Sequence, residues 1–139
     1  KWKGDIETFA GAKAGFPIIA DNDLTVAKAF DMLPAEAYMP DGRTPNDSAT
    51  VRAVFIIGPD KQLKLSMTYP MTVGRNFAEV LRALDGLQTS TGKGVATPAN
   101  WNVGDDVNIP ATLSDDDAKA KFGDFNKILP YLRTTKAPS

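Results

Sequence analysis

Val51-Arg52-Ala53-Val54-Phe55-Ile56-Ile57, Gly58-Pro59-Asp60-Lys61, Leu63-Lys64-Leu65-Ser66-Met67-Thr68-Tyr69 and the segment up to Leu87 decide how this chain folds. The first run is apolar and β-branched, broken only by Arg52, and suits a strand covered on both faces. Gly58 to Lys61 carries turn chemistry, with Pro pre-setting φ and Asp able to bond back to the backbone. The second run alternates apolar and polar residues, as a strand with one wetter face does. After Pro70, the residues Phe77, Val80, Leu81, Ala83, Leu84 and Leu87 fall on one side of a helix. The Thr50–Leu87 stretch therefore predicts strand, turn, strand, helix.

Two arginines are poorly explained by that scaffold. A guanidinium inside a strand costs several kcal/mol, roughly, if it is desolvated without a partner. At the helix start, Arg75 opposes the macrodipole by about 0.3–1 kcal/mol. On the residues alone two readings stay open. In one, Arg52 sits at a strand mouth in a structural ion pair and Arg75 is merely solvated. In the other, the two share an anion or thiolate site.

Outward from this stretch, the bulk composition is that of a soluble globular protein of one domain, or one domain with an appendage. It has 139 residues, 42% hydrophobic and 24% charged. With 16 basic and 17 acidic residues the formal net charge is −1, and no basic run argues for nucleic acid or an anionic membrane. No apolar stretch approaches the roughly 20 residues that span a bilayer, and no signal-peptide pattern opens the chain. There is neither cysteine nor histidine. That excludes a disulfide framework, a thiolate nucleophile within these residues, and the commonest general base and metal ligand. Any catalysis needs groups from outside these residues, and no cofactor or metal is expected.

The chain opens within a helix pattern, with Trp2, Ile6 and Phe9 on one face and no cap before it, so its start reads as a break in a longer protein. That helix should end near Gly11 or Gly15. Phe16-Pro17-Ile18-Ile19-Ala20-Asp21 reads as a short strand. Asp21 or Asp23 should cap a short helix carrying Leu24, Val26, Ala27, Ala29 and Phe30. Pro34 to Ser48 reads as a surface loop, in which Asn46-Asp47-Ser48 matches a glycosylation sequon by accident and Asp41 and Asp47 lack calcium-loop spacing. The order of elements predicts an α/β sheet of few strands, completed by another segment of chain.

Beyond Leu87 the character changes. Thr89 to Gly94 reads as a flexible linker. Gly104-Asp105-Asp106 should turn, and Val107-Asn108-Ile109 should form a short strand. Ser114 should cap a helix whose first turn holds Asp115, Asp116 and Asp117 and which ends near Phe122-Gly123; capping explains the acids without a metal. Tyr131-Leu132-Arg133 reads as a last strand. So small a segment should pack on something else.

These stretches resemble a known family. Thr50 to Asp60, Tyr69-Pro70 and Thr72-Val73-Gly74-Arg75-Asn76-Phe77 resemble the later half of a peroxiredoxin. Val95-Ala96-Thr97-Pro98-Ala99-Asn100-Trp101, Gly104 to Val107, Ile109-Pro110 and Tyr131-Leu132-Arg133 resemble the C-terminal extension of the long one-cysteine peroxiredoxins, and Phe16 to Asp21 fits the same family. The resemblance covers essentially the whole chain. It implies an α/β fold: residues 1–88 as the C-terminal half of a thioredoxin-like domain, and residues 89–139 as linker and small α+β dimerisation domain of a homodimer. It implies a cytoplasmic, thiol-dependent peroxidase for hydrogen peroxide and alkyl hydroperoxides, using an external thiol reductant. The peroxidatic cysteine would lie in a Pro-x-x-x-Thr-x-x-Cys motif, in an N-terminal half upstream of these residues, so this chain alone should be inactive. Arg52 and Arg75 match the two arginines beside that cysteine and would favour its thiolate and hold the peroxide. Asp60 matches an aspartate given a phospholipase-type role in some members, but without the upstream partners the turn accounts for it. The rival reading is a non-catalytic thioredoxin-like dimerisation or binding module.

Overall fold

The structure, a computed structural model, describes residues 1–33 and 48–138. The chain divides into two compact units, Lys1–Val51 and Arg52–Ser139. The loop expected from Pro34, with its sequon and the carboxylates Asp41 and Asp47, lies outside the described residues up to Ser48.

The first unit holds two helices, α1 (Trp2–Ala10) and α2 (Thr25–Ala29). Of the two glycines expected to end α1, Gly11 does so. It adopts φ 65°, a left-handed conformation that costs glycine little, and its N–H reaches the Glu7 carbonyl. No residue of α1 is buried. The strand expected over Phe16–Asp21 does not form. Pro17 lacks a donor, no described segment pairs with this stretch, and Phe16, Ile18 and Ile19 stand exposed. Both expected capping aspartates serve α2: the Asp21 carboxylate accepts the N–H groups of Val26 and Ala27, each at 2.9 Å, and Asp23 accepts that of Thr25. Neither occupies the N-cap position, which is Leu24. Ala27 and Leu33 form a small core with Leu24 and Met32 packed on it.

The second unit opens on an antiparallel hairpin of β1 (Arg52–Ile57) and β2 (Leu63–Tyr69). Arg52 faces Tyr69 across the ladder, Val54 faces Met67, and the register slips between Ile56 and Ile57. At the turn the Lys61 N–H reaches the Gly58 carbonyl, and the Asp60 carboxylate accepts from the Gln62 N–H, the aspartate chemistry expected there. Along β2, Leu65, Met67 and Tyr69 are half-buried while Lys64, Ser66 and Thr68 are exposed, so the alternation holds. The cover expected on both faces of β1 is incomplete: its residues are half-buried and Ile57 is exposed. Among the described residues this sheet has two strands, one fewer than expected, because the Phe16 segment does not join it. Helix α3 (Phe77–Ser90) follows, with Ala83 and Gly86 buried. Its apolar stripe is real, but Phe77 and Leu81 at its leading end remain exposed. Thr89 and Ser90, expected in the linker, are the last residues of α3, and the turn occupies 91–94.

The rest of the unit comprises β3 (Val107–Ile109), α4 (Asp115–Phe122), β4 (Asn126–Leu129) and β5 (Leu132–Thr135), with strand order β3-β5-β4, all antiparallel. Ser114 caps α4 as expected, its hydroxyl accepting the Asp117 N–H at 3.0 Å. The last strand begins one residue later than expected. β4 was not anticipated: it is an edge strand with all four residues exposed, so it carries no burial pattern. Val95, Trp101 and Val107 form a core on which Phe122 and Ala137 pack. The segment thus has more core of its own than its length suggests, and it also packs on α3. There Gly86 permits close approach: a Cβ at that position would lie 3.5 Å from Thr97 Oγ1 and 4.0 Å from Trp101 Cε3.

Candidate active site

Arg52 is the first residue of β1, half-buried at the open end of the hairpin. Strand alternation puts it on one face with Val54 and Ile56. Arg75 follows the exposed loop after Pro70 and directly precedes Asn76, the N-cap of α3. The Asn76 side-chain oxygen accepts the N–H groups of Ala78 at 3.0 Å and Glu79 at 3.3 Å, which fixes where the helix begins. From there the Arg75 Nη1 reaches the Ala53 carbonyl at 3.5 Å, a long contact, and its guanidinium lies 5.6 Å from the centre of the Phe77 ring. The fold therefore brings the second arginine to the residue beside the first. Each guanidinium carries N–H donors of the kind that suits an oxyanion or a thiolate. They offer no nucleophile, since the sequence has neither cysteine nor histidine.

Asp60 is held apart from this pair. It lies at the turn, beyond the other end of β1, and five residue steps of strand lead from Arg52 to Ile57, about 17 Å. Its carboxylate bonds Lys64 and the Gln62 N–H, and those two contacts hold it below the usual carboxylate range. A mainly apolar groove of about 600 Å³ lies at this end, lined by Ile56, Ile57, Pro59, Lys64, Leu84 and Leu87 among others.

Two further arginines, Arg82 and Arg133, were given no role of their own from the sequence. Arg82 holds Glu79 through two N–H groups and the Trp101 carbonyl through a third. The Glu79–Arg82 spacing of three was a readable signal; the contact to Trp101, nineteen residues on, was not. Arg133 is 2% exposed and bonds Asp115, the Pro110 carbonyl and the Leu113 carbonyl. Lys127 first and Arg133 second hold the Asp115 carboxyl low, so this first-turn acid is an ion-pair partner as well as a helix-start residue. Among the described residues no group of three His, Cys, Asp or Glu stands together to ligate a metal. No helix among them is long and apolar enough to cross a membrane.

Residues 86–124 match the family described as the C-terminal domain of 1-Cys peroxiredoxin. A mitochondrial peroxiredoxin of Saccharomyces cerevisiae is 51% identical over 99% of this chain and 52% of its own length. A 1-Cys peroxiredoxin of Dictyostelium discoideum is 43% identical over the whole chain and 55% of its own length. Among solved structures, a yeast mitochondrial 1-Cys peroxiredoxin, described by its thiol resolving mechanism via glutathione/thioredoxin systems, superposes with a TM-score of 0.85 at 49% identity, over 97% of this chain and 63% of that one. The chain thus spans about half the length of these curated relatives, and its α/β fold is theirs.

Proposed function

Because the chain belongs to the one-cysteine peroxiredoxin family, we propose that it forms the arginine wall of a thiol-dependent peroxidase. The substrates are hydrogen peroxide and alkyl hydroperoxides. The peroxidatic thiolate comes from residues other than these 139, in the N-terminal half of the same protein, since they contain no cysteine. The single observation that carries this reading is the approach of the Arg75 guanidinium to β1 one residue from Arg52.

In this reading the thiolate attacks one peroxide oxygen, the O–O bond breaks, and the leaving oxygen takes a proton to depart as water or an alcohol. The sulfur becomes a sulfenic acid. Arg52 and Arg75 favour the thiolate over the thiol, whose ordinary value near 8.5 leaves it mostly protonated at neutral pH. Their N–H donors also hold the peroxide and stabilise charge developing on the leaving oxygen. No cysteine among these residues can resolve the sulfenic acid, so an external thiol does. It condenses with the sulfenic acid to a mixed disulfide and water, and a second thiol releases the enzyme. The thiol systems named for the yeast relative are the class of reductant we propose.

The protein works as a homodimer, with residues 1–88 in the thioredoxin-like domain and 89–139 as linker and dimerisation domain. The family match beginning at residue 86 supports that division. We place the protein in the cytoplasm; the yeast relative's mitochondrial name supplies the alternative, which cell fractionation separates.

The test is kinetic. The 139-residue chain, mixed with peroxide and a thiol, should show no turnover, whereas the protein that joins it to the thiol-bearing segment should. In that protein Arg52→Ala should raise the thiol pKa and lower kcat/KM for peroxide by about 10²-fold, as losing one oxyanion donor does. Turnover by the chain alone would overturn the claim that the thiolate comes from other residues, and an unchanged rate in Arg52→Ala would overturn the role of Arg52.

A further inference from the structure

Arg82 makes three hydrogen bonds in two directions. Its Nε and Nη2 donate to the Glu79 carboxylate at 2.6 and 2.8 Å, and its Nη1 donates to the Trp101 carbonyl at 3.2 Å. The carbonyl it holds belongs to a fixed point: Trp101 is 2% exposed, and its indole N–H is tied to the Asp105 carbonyl at 3.1 Å. In the other direction, the N–H of Glu79 bonds the Asn76 side chain, and Asn76 is the residue after Arg75. A continuous polar chain therefore runs from the C-terminal core to the start of α3. An ordinary surface pair at this helical spacing would stop at Glu79.

The second feature is mechanical. One turn beyond Arg82, α3 touches the C-terminal core where Gly86 meets Thr97 and Trp101. A helix seated on the C-terminal core at Gly86 can tilt about that contact. Phe77 lies nine residues away, about 14 Å at the helical rise, so a tilt of about 5° moves the helix start by about 1 Å. A displacement of about that size is enough to cost on the order of 10²-fold where a group must be oriented for chemistry. Arg82, about 6 Å from Gly86 along the axis, supplies a second attachment that opposes the tilt.

We propose that Arg82 is a positioning residue: by tying α3 to the Trp101 carbonyl, it holds the helix start, and with it the Arg75 guanidinium, against the Ala53 carbonyl of β1. The inference rests on the function proposed above, in which Arg75 serves the thiolate and the peroxide. Arg82 itself touches neither. The C-terminal core thus has a part in the reaction through the placement of one cation.

The experiment uses the complete thiol-bearing protein and compares Arg82→Ala, Arg82→Lys, Arg75→Ala and the double variant Arg82→Ala/Arg75→Ala. Arg82→Ala should lower kcat/KM for peroxide about five- to tenfold and shift the thiolate limb of the pH–rate profile upward. Arg82→Lys, which keeps a donor for the Trp101 carbonyl, should recover most of the loss. In the Arg75→Ala background, removing Arg82 should cost nothing further, because the group it positions is gone. Glu79→Gln, which keeps an acceptor for the guanidinium, gives a milder version of the same shift should Arg82→Ala fold poorly. An unchanged pH profile in both Arg82→Ala and Glu79→Gln, or an equal loss with and without Arg75, overturns the inference. A normal rate in Arg75→Ala alone overturns the proposed function instead.

Discussion

Within the Arg52–Ser139 unit, the hairpin with α3 and the C-terminal segment reach opposite outcomes from similar material. The hairpin strands carry the richer apolar sequence, yet no residue of β1 or β2 is buried, and Ile57, Leu63, Phe77 and Leu81 are each more than half exposed. The C-terminal segment is poorer in apolar residues and still buries Val95, Trp101, Val107, Ile109 and Ala118, with Arg133 among them. The difference is closure. Three short strands, a capped helix and returning loops surround one core, and the buried guanidinium finds a carboxylate and two carbonyls. Among the described residues the hairpin pairs with no third strand, so much of its apolar surface stays exposed. That surplus suits the proposed function, in which the hairpin is a wall completed by thiol-bearing residues from outside this chain.

The sharpest way to break this contrast is to remove a large side chain from each region. Trp101→Ala should cost about 3–5 kcal/mol, the range for emptying a well-packed aromatic site. Leu81→Ala, at a residue 61% exposed, should cost under about 1 kcal/mol in this chain. Urea denaturation followed by far-ultraviolet circular dichroism gives both values. Equal losses would mean that the two regions form one evenly packed core. A larger Leu81→Ala loss in the complete thiol-bearing protein than in this chain would show the hairpin region acquiring the cover it lacks here.

Acid should separate the regions next. The Asp115 carboxyl is held below its ordinary value of 3.8, first by Lys127 and then by Arg133. A depressed carboxyl contributes stability that is present above the unfolded value and is lost as pH falls through the folded one. Stability from this group should therefore be flat from pH 8 to 5, where no histidine titrates, and decline only below about 4. Asp115→Asn should flatten that decline while lowering stability at neutral pH. The comparison to make is acid unfolding of the two proteins monitored at Trp101. An unchanged acid midpoint would show that the Asp115–Arg133 contact does not hold the segment together.

What the sequence disclosed follows the same division between near and far. Helices α1, α3 and α4 and strand β2 were legible because periodicity and caps are local properties. Asn76 three residues before Glu79 is a helix-start signature of the same local kind, although the neighbouring Arg75 drew the attention. The Phe16–Asp21 strand was misjudged because an extended apolar run becomes a strand only when something pairs with it. β4 was missed because an exposed edge strand needs no alternation. Arg52 and Arg75 stood out as charges where a strand and a helix start have little use for them, but the contact at Ala53 joins residues 22 positions apart in the chain. The residues alone left a shared anion or thiolate site open beside a structural ion pair, and the family resemblance is what favoured the role proposed for them. The Arg82–Trp101 and Arg133–Asp115 contacts left no sequence mark, since each joins residues distant in the chain.

The smallest expected effect tests the joint between the two regions. Gly86 sits in the interior of α3, where glycine is worse than alanine by about 0.8–1 kcal/mol. It would be irreplaceable only if Thr97 and Trp101 left no room for a methyl group. They do leave room: an added Cβ would meet its nearest neighbours at 3.5, 3.8 and 4.0 Å, ordinary van der Waals contact. Gly86→Ala should therefore stabilise the chain by up to about 1 kcal/mol, raising Tm by about 3–4 °C. A branched side chain, as in Gly86→Val, should reverse the sign by pushing Trp101 off the helix. A fall in Tm for Gly86→Ala would mean that the joint is tighter than these distances indicate. The C-terminal core would then clamp α3 at Gly86 without help, and the second attachment at Arg82 would have little left to hold.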